Sequence, residues 1–558
     1  MLAASLFVAL RVQAAALPDA GSIMRVQQPG QGLTEELPVA GSGDGDFAPE
    51  SGGVRVSVNG FIFSGYEGIA GEAELQELVA GAVGRRQSFS ELKALASKVT
   101  DHLRKKGWFL ARAYLPKQEV TSGMVRIAIL QGNSDAEVRI GRDPGVRICE
   151  SRLLRIGKLG VRPGEPLDER ALERSVLLMN DLPGVSARAA LSSGREPGSS
   201  MVDFMVSEGA LVSGVVWGDN QGNRYTGVWR GNAMVSLNDP GRYGDQLKVM
   251  ATVASGLEQG RIDYTVPLRD DGLRGSLGLS VMHYRLGEEI AVLKYAGWGR
   301  TMSAGLSYPL LRSRKANVSS TLTAFYKELV DSQSGTDLRN RHIPSLQLGF
   351  SGSWFDTWLS HGYTIWSVTA VAGSLHESIA DIHLPGTEGG YSRFNIEVSR
   401  LERLADRLTL HGALSAQYAP VNLDSSEKFY LGGPEGVRAY PIGEAGGDMG
   451  QLCHADLSYS VPTPAGWGNL QLICFYDAGH ITLNSDRYVG DVMTATFRNE
   501  YWLQGTGAGL NYTFGRRFSV RGNWAHVIGQ NPGRSFFGKN ADGRSDRSRF
   551  WLQAALFF

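Results

Sequence analysis

The 558-residue sequence lacks three features that define common protein classes. It contains no run of 18 or more apolar residues, so it predicts no transmembrane helix. Its three cysteines are too few for a disulfide scaffold, and their spacing does not fit a zinc site. Its formal net charge is zero, with 56 basic and 56 acidic residues, and this balance argues against nucleic acid as a partner.

Motifs that carry catalysis are also missing. The sequence has no Gly-x-Ser-x-Gly and no His-Glu-x-x-His. Residues 533–539 match the beginning of a phosphate-binding loop, but Asn540 stands where Ser or Thr must hold magnesium. The sequence therefore predicts no catalytic residue, no cofactor and no metal site, and the protein is not expected to be an enzyme.

What the sequence has in excess is glycine, which makes up 71 of its residues. Beyond residue 209 helical periodicity disappears and apolar residues alternate with polar ones, for example over 246–253, 407–418 and 517–524. Strands with one apolar and one polar face fit a barrel that spans a membrane around a wet lumen. A soluble sandwich would show the same alternation, but one soluble domain of this length is uncommon. Residues 210–558 are therefore predicted to form a transmembrane β-barrel.

Two features of the predicted barrel each allow two interpretations. The final residues, 550–558, alternate and end in phenylalanine, as in the last strand of bacterial outer-membrane barrels or in an ordinary half-buried strand. Cys453 and Cys474 fall on neighbouring strands around a turn near 464–468, on the face predicted to meet lipid. They are either two separate lipid-facing thiols or one cross-strand disulfide.

The first 53 residues predict three short segments. Residues 1–16 have an apolar stretch followed by small residues, which predicts a secretory signal peptide; a buried helix is the alternative. Residues 17–28 contain a short helix with a proline near its start and Pro29 just beyond its end. Residues 29–53 are rich in Gly, Pro, Ser and acidic residues, which predicts a flexible linker.

Two α+β modules of similar length follow, over 54–133 and 134–209. Each is predicted to run strand, helix, helix, strand, strand. In the first module a capping box at Ser88 opens a helix, and Trp108–Leu115 is predicted as a strand. In the second module Asp168 is predicted to cap a helix. The repetition of the pattern is a stronger signal than either module alone.

Two segments of the barrel region point to a site. A Gly-rich loop near 430–450 carries Arg438, and a predicted strand carries Phe475 and Asp477 on the same face. If the loop folds inward, a guanidinium–carboxylate pair between Arg438 and Asp477 would hold it in the lumen. The alternative is a solvated arginine and a carboxylate that caps a turn.

These pieces, in this order, resemble the two-partner secretion transporters of the outer membrane, the TpsB family of the filamentous-haemagglutinin and haemolysin transporter type. The resemblance implies an N-terminal plug helix, a linker, two periplasmic POTRA domains and a barrel of about 16 antiparallel strands. The segments that carry the resemblance are 18–25, 114–118, 125–132, 180–185, 431–441 and 475–479.

The resemblance also implies the site residues, through a Val-Arg-Gly-Tyr loop that enters the lumen and a Phe-x-Asp-x-Gly strand motif. The matching residues here are Val437, Arg438, Tyr440, Phe475, Asp477 and Gly479. The loop glycine of the family is replaced by Ala439. A side chain at this position puts the detailed loop conformation in question, because the backbone there is open to positive φ in the family.

The function implied by the resemblance is protein export. The protein is expected to be a monomer in outer-membrane lipid that recognises an unfolded partner exoprotein, of adhesin, haemolysin or toxin type, and exports it to the cell surface. The alternative is a factor that inserts barrel proteins into the outer membrane, since such factors share the POTRA domains, the barrel and the loop motif. A third interpretation is a structural or adhesive barrel without transport. Two modules and a plug helix favour secretion.

Overall fold

The computed structural model describes these residues: 17–27, 56–120, 122–195, 199–378, 387–464, 466–487 and 494–558. The predicted signal peptide, 1–16, and the predicted linker, 29–53, lie outside the described residues. Across the described part of the chain, no helix combines the length and the apolar character needed to cross a membrane.

The α-helices of the described ranges occupy the first two fifths of the chain. They are α1 (Ala20–Gln27), α2 (Glu72–Val79), α3 (Phe89–Lys105), α4 (Glu150–Gly160) and α5 (Glu169–Asn180). The strands that precede the barrel are β1 (Val56–Ser57), β2 (Gly60–Ser64), β3 (Arg86–Gln87), β4 (Arg112–Tyr114), β5 (Met124–Leu130), β6 (Asn133–Arg142), β7 (Val185–Ser193) and β8 (Ser199–Glu208).

The remaining strands belong to the barrel and to one pair inside it. The first half of the barrel consists of β9 (Val212–Asp219), β10 (Arg230–Asn238), β11 (Gln246–Ala254), β12 (Leu257–Pro267), β13 (Arg274–Arg285), β14 (Tyr295–Arg312), β15 (Ala316–Gln333) and β16 (Thr336–Asp356). The second half consists of β17 (Gly362–Glu377), β18 (Gly389–Ala405), β19 (Leu408–Tyr418), β22 (Met449–Val461), β23 (Asn469–Thr482), β24 (Glu500–Phe514), β25 (Phe518–Ile528) and β26 (Ser548–Phe557). The inner pair is β20 (Phe429–Tyr430) and β21 (Gly446–Gly447).

The first module is a three-stranded sheet, ordered β2-β5-β4, covered by helices. The α3 helix begins where the sequence predicts, because Ser88 Oγ accepts a hydrogen bond from the Glu91 amide and the Glu91 carboxylate accepts one from the Ser88 amide. The predicted strand over Trp108–Leu115 is too long, since β4 covers only Arg112–Tyr114. Gly107 has φ +106°, and the Trp108 amide donates to the Leu103 carbonyl in α3. These residues therefore form the C-terminal end of the helix.

The second module has the same strand arrangement, β6-β8-β7, with its first and third strands parallel as in the first module. Its α5 helix is capped by Asp168, whose carboxylate accepts a hydrogen bond from the Arg170 amide at 2.9 Å. Leu153, Met179 and Phe204 form the centre of its core. The two modules therefore repeat one fold, as the sequence predicts.

Sixteen antiparallel strands close into one barrel, with β26 paired to β9. Alternation determines the two faces, as predicted: on β11 the side chains of Val249 and Val253 point outward and are exposed, while Thr252 points inward and is buried. The closed barrel confirms the predicted fold class.

The second module contacts one end of the barrel, which we call the module end; the opposite end is the far end. Arg155 Nε lies 2.7 Å from Asp270 Oδ2 in the β12–β13 turn, and Arg312 Nη2 at the end of β14 lies 2.6 Å from Asp181 Oδ1. Arg174 donates to the Pro309 carbonyl at 2.9 Å. These polar contacts hold the second module against the turns of the barrel.

The two barrel cysteines are separate thiols on the outer face. In the strand register Cys453 lies opposite Ala478, and Cys474 lies opposite Leu457. Both cysteines are exposed and free. The register therefore excludes the disulfide alternative, because directly paired positions would be needed to join them.

Candidate functional site

The chain between β20 and β21 turns back into the barrel lumen. This inward loop, residues 431–445, packs its apolar side chains against the inner wall of β22 to β25. Leu431, Val437, Ala439 and Tyr440 have at most 1% of their surface exposed. Burial of this apolar surface holds the loop in the lumen.

The predicted pair between Arg438 and Asp477 is present. Arg438 Nε lies 2.9 Å from Asp477 Oδ2, and Nη2 lies 2.5 Å from Oδ1, so the contact is bidentate. The Arg438 amide also donates to Oδ2, at 3.0 Å. The guanidinium carbon lies 3.6 Å from the centre of the Phe475 ring, which adds a cation–π contact. We call Arg438, Phe475 and Asp477 the clasp.

Three further residues complete the clasp, and none of them is predicted from the sequence. Asp456 Oδ1 accepts from Arg438 Nη2 at 2.5 Å, and His454 Nδ1 lies 2.8 Å from Asp477 Oδ1. Trp551 Nε1 donates to the Arg438 carbonyl at 2.7 Å. His454 and Asp456 share the inner face of β22, and the register sets His454 opposite Asp477. The i, i+2 spacing of His454 and Asp456 in the sequence indicates that they share one face of a strand. Only the strand register shows that this face meets the clasp.

Glycines in the wall make room for the loop. A Cβ at Gly479 would lie 2.5 Å from a Leu431 methyl, and a Cβ at Gly505 would lie 2.7 Å from the Ala439 Cβ. The last residue of the strand motif is therefore glycine because the loop approaches it closely. Ala439 is not among the residues with positive φ, whereas Ala445 has φ +53°. The alanine at position 439 is accommodated without backbone strain.

The α1 helix lies inside the barrel, on the side formed by β14 and β15. Ala20, Ile23 and Met24 are buried there, and Thr301 Oγ1 lies 3.1 Å from Met24 Sδ. A Cβ at Gly21 would lie 2.4 Å from Ser425 Oγ, so the helix also touches the segment that leads to the inward loop.

One carboxylate both caps α1 and joins it to the barrel. Asp19 Oδ1 accepts from the Ser22 amide at 2.8 Å, which is an N-cap bond. Asp19 Oδ2 accepts from Ser425 Oγ at 2.7 Å and from Arg341 Nη1 at 3.1 Å. Arg341 is fully buried and also binds Asp331 and, at 2.7 Å, Asp424. We call Asp19, Arg341, Asp331, Asp424 and Ser425 the latch.

Residues 424–428 connect the latch with the inward loop. Asp424 belongs to the latch, while Glu427 pairs with Lys327 at 2.5 Å and with Arg393 at 2.7 Å in the wall. Lys428 Nζ lies 2.6 Å from Asp448, just beyond the loop. One continuous, ion-paired segment thus runs from the latch to the inward loop. Within the described ranges, no group of His, Cys, Asp and Glu is arranged to hold a metal ion.

A closed 16-strand barrel with a filled lumen and two modules at one end defines a membrane transport protein of the outer-membrane type. Residues 198–512 match the family model described as haemolysin secretion/activation protein ShlB/FhaC/HecB, and residues 56–132 match the POTRA domain of ShlB type. Since the first match covers more than half of the chain, the chain belongs to the ShlB/FhaC/HecB family.

Known relatives agree with this assignment over most of their length. The heme/hemopexin transporter protein HuxB of Haemophilus influenzae (strain 86-028NP) is 27% identical over 496 residues, which are 87% of this chain and 84% of the relative. The outer membrane transporter CdiB of Dickeya dadantii (strain 3937) is 21% identical over 438 residues, 74% of each chain. The solved structure of CdiB from Escherichia coli has the same fold, with a TM-score of 0.73 and 19% identity over 99% of this chain and 98% of that chain.

The chain is therefore an outer-membrane transporter of the two-partner secretion type, which exports a partner protein. Its modules are POTRA domains and lie in the periplasm. The module end of the barrel is periplasmic, and the far end opens at the cell surface. Members of this family are transporters rather than enzymes.

Proposed function

We propose that the partner protein crosses the outer membrane unfolded, through the barrel lumen, that α1 is the movable plug of this lumen, and that the clasp keeps the inward loop at the wall. The observation that carries the proposal is that α1 and the inward loop occupy the lumen and are held by two different ion-paired clusters. A single barrel encloses the whole path, which supports a monomer as the working unit.

The release of α1 follows from its length and its cap. An eight-residue helix spans about 12 Å and is marginal in water by itself. Its stability in the lumen depends on packing and on Asp19, which serves as cap and as latch residue. When the latch opens, the helix loses its packing and its ion pair inside the barrel, and an extended partner chain takes its place.

Capture of the partner begins at the POTRA domains. Each sheet leaves two edge strands, β2 and β4 in the first domain and β6 and β7 in the second. An extended segment of the partner can add a strand at such an edge, with its backbone groups paired by the domain. The resemblance to a heme/hemopexin transporter supports an exoprotein that handles haem or hemopexin as one candidate partner, beside the adhesin, haemolysin and toxin types.

A tether between the helix and the barrel wall tests the plug. In a background with Cys149, Cys453 and Cys474 replaced by serine, Met24→Cys and Thr301→Cys bring two thiols together, since Met24 Sδ lies 3.1 Å from Thr301 Oγ1. Oxidation should stop secretion of a co-expressed partner exoprotein into the medium, and reduction should restore it. Each single cysteine variant is the control. Undiminished secretion by the oxidised pair would refute the plug.

A second experiment separates export from barrel insertion. Cells without the transporter, with the wild type and with Arg438→Ala are compared for partner secretion and for the abundance of other outer-membrane proteins. The matched control is Arg521→Ala, because Arg521 is on the polar face of β25 and has no ion-pair partner in the described part of the chain. We expect secretion to fall only on deletion and in the Arg438 variant. Depletion of other barrel proteins, with secretion unchanged, would favour the insertion function instead.

A further inference from the structure

The outer face of β13 carries a row of side chains that is apolar in its first part and basic toward the cell surface. Leu277, Leu279 and Val281 are exposed at lipid depth. The next residues of the same row are His283 and Arg285, both exposed. Arg285 is at the end of β13 opposite to the β12–β13 turn, which contacts the second POTRA domain. The row therefore ends in a cation at the outer-leaflet surface of the membrane.

A depression lies beside this cation, at the far end of the barrel. It has a volume of about 460 Å³, and its wall includes Arg285, Lys294, Ser255, Gly256 and Ala296. In the strand register Arg285 lies opposite Ala296, and His283 lies opposite Trp298. A tryptophan one step below the depression is typical of the level where lipid tails meet head groups. The depression thus opens at head-group level.

The wall of this depression is positively charged. Neither Arg285 nor Lys294 has an ion-pair partner among the described residues, and the depression has no acidic side chain in its wall. Glu288 and Glu289 of the neighbouring turn both pair with Arg224, at 3.0 and 2.7 Å, and Glu258 on β12 lies opposite His283. The two acidic side chains of the turn are thus held by Arg224, while Arg285 and Lys294 are the charged residues in the wall of the depression.

We propose that Arg285 and Lys294 form a binding site for the phosphate group of an outer-leaflet lipid. A guanidinium and an ammonium group side by side provide several donors for one phosphate. The lipid, rather than free phosphate, is the occupant because the site lies directly above the apolar row that contacts lipid tails. The bound head group would anchor this side of the barrel, next to the strands that hold α1, in the outer leaflet.

The test measures binding of fluorescent diphosphoryl lipid A to the purified full-length protein in detergent micelles. The variant is Arg285→Gln with Lys294→Gln, and the charge-matched control is Arg407→Gln with Arg516→Gln, two exposed arginines in periplasmic turns. We expect binding about tenfold weaker or more in the first pair and unchanged binding in the control. The charge-preserving variant Arg285→Lys should retain binding. Heat-dependent gel mobility verifies that each barrel is folded.

Competition distinguishes the source of the phosphate. Dephosphorylated lipid A should bind to the wild type as weakly as diphosphoryl lipid A binds to the double variant, and inorganic phosphate should displace the lipid only at a large molar excess. Equal binding by the two double variants would overturn the site. Displacement by inorganic phosphate at equal concentration would overturn the lipid assignment.

Discussion

The clasp and the latch each contain a buried arginine that faces aspartates in the same lumen. They differ in which charged groups remain when the loop or the helix is removed. In the clasp, Arg438 is the only cation among the described residues that binds both Asp477 and Asp456. In the latch, Arg341 binds Asp331 and Asp424 in addition to Asp19 of the helix. The loop supplies the cation of the clasp, whereas the helix supplies one of the three acids that share the cation of the latch.

Removal of the helix therefore leaves the latch satisfied. Without Asp19, Arg341 keeps two carboxylates, and the neighbouring Arg339 keeps Glu377, at 2.7 Å. Removal of the loop would instead leave Asp477, which is fully buried, with His454 as its remaining partner. A buried charge without its partner is strongly unfavourable. The difference supports the proposal that the helix moves while the loop stays.

The largest expected effect is that of Arg438→Ala. It leaves two carboxylates without their cation in the lumen, and loss of one partner of a buried pair typically costs about 3–5 kcal/mol. We expect a lower unfolding temperature of the barrel and faster proteolysis of the inward loop. Arg521→Ala, on the exposed polar face of β25, should change neither. A stable Arg438→Ala barrel with a protected loop would show that apolar packing alone holds the loop.

The next effect in size tests the close approach of loop and wall. Gly479→Ala places a Cβ 2.5 Å from a Leu431 methyl, so the loop must shift. Overpacking of this kind costs roughly 1–3 kcal/mol. Protease accessibility of the loop should increase, while Gly412→Ala should have no effect, because a Cβ there would meet nothing within 4 Å. Equal protection of both variants would contradict the steric argument.

Much of this architecture could be predicted from the sequence, because periodicity reports which face of an element is buried. Ser88 and Asp168 open helices through local bonds that a sequence motif encodes. The lumenal direction of Asp477 follows from alternation on β23. The pairing of Arg438 with Asp477 needed the loop motif as well, since 39 residues separate the two.

The parts that could not be predicted depend on register and on distant contacts. His454 and Asp456 meet the clasp because β22 pairs with β23 in one register of several that alternation allows. Asp19 meets Arg341 across 322 residues, which no local pattern encodes. The strand predicted over Trp108–Leu115 failed for the opposite reason: a glycine-dependent helix end outweighed β propensity.

A smaller effect is expected at Asp19, where two substitutions separate the latch from the cap. Asp19→Asn removes the charge that faces Arg341 but keeps a good capping side chain. Asp19→Ala removes both, and loss of the cap costs about 1 kcal/mol more. In planar bilayers we expect the fraction of time in the conducting state to increase from wild type to Asn to Ala. The same fraction in all three would show that Asp19 does not hold the helix.

The smallest effect concerns an ion pair outside the lumen, in the first POTRA domain. Glu74 accepts from Lys106 Nζ at 2.9 Å and contacts His102 Nε2 at 2.5 Å, and all three side chains are partly exposed. The hydrogen bond from Lys106, followed by that with His102, lowers the pKa of Glu74 to about 2 from an ordinary value of 4.5. Because the folded-state pKa lies below the unfolded one, the stabilisation is fully present above pH 4.5 and is lost as the pH falls toward 2.

Solvent screening limits this contribution to under about 1 kcal/mol, in contrast to the buried clasp. Urea unfolding of the full-length protein would report the first domain through a fluorophore attached at position 105, in a Lys105→Cys variant that lacks the natural cysteines. Between pH 5 and pH 3 the urea midpoint of the labelled protein should fall slightly more than the midpoint of the same labelled protein with Glu74→Gln. At pH 2 the two should converge. Equal destabilisation by Glu74→Gln and Arg438→Ala would contradict the argument that burial makes the clasp contribute more to stability than the exposed ion pair.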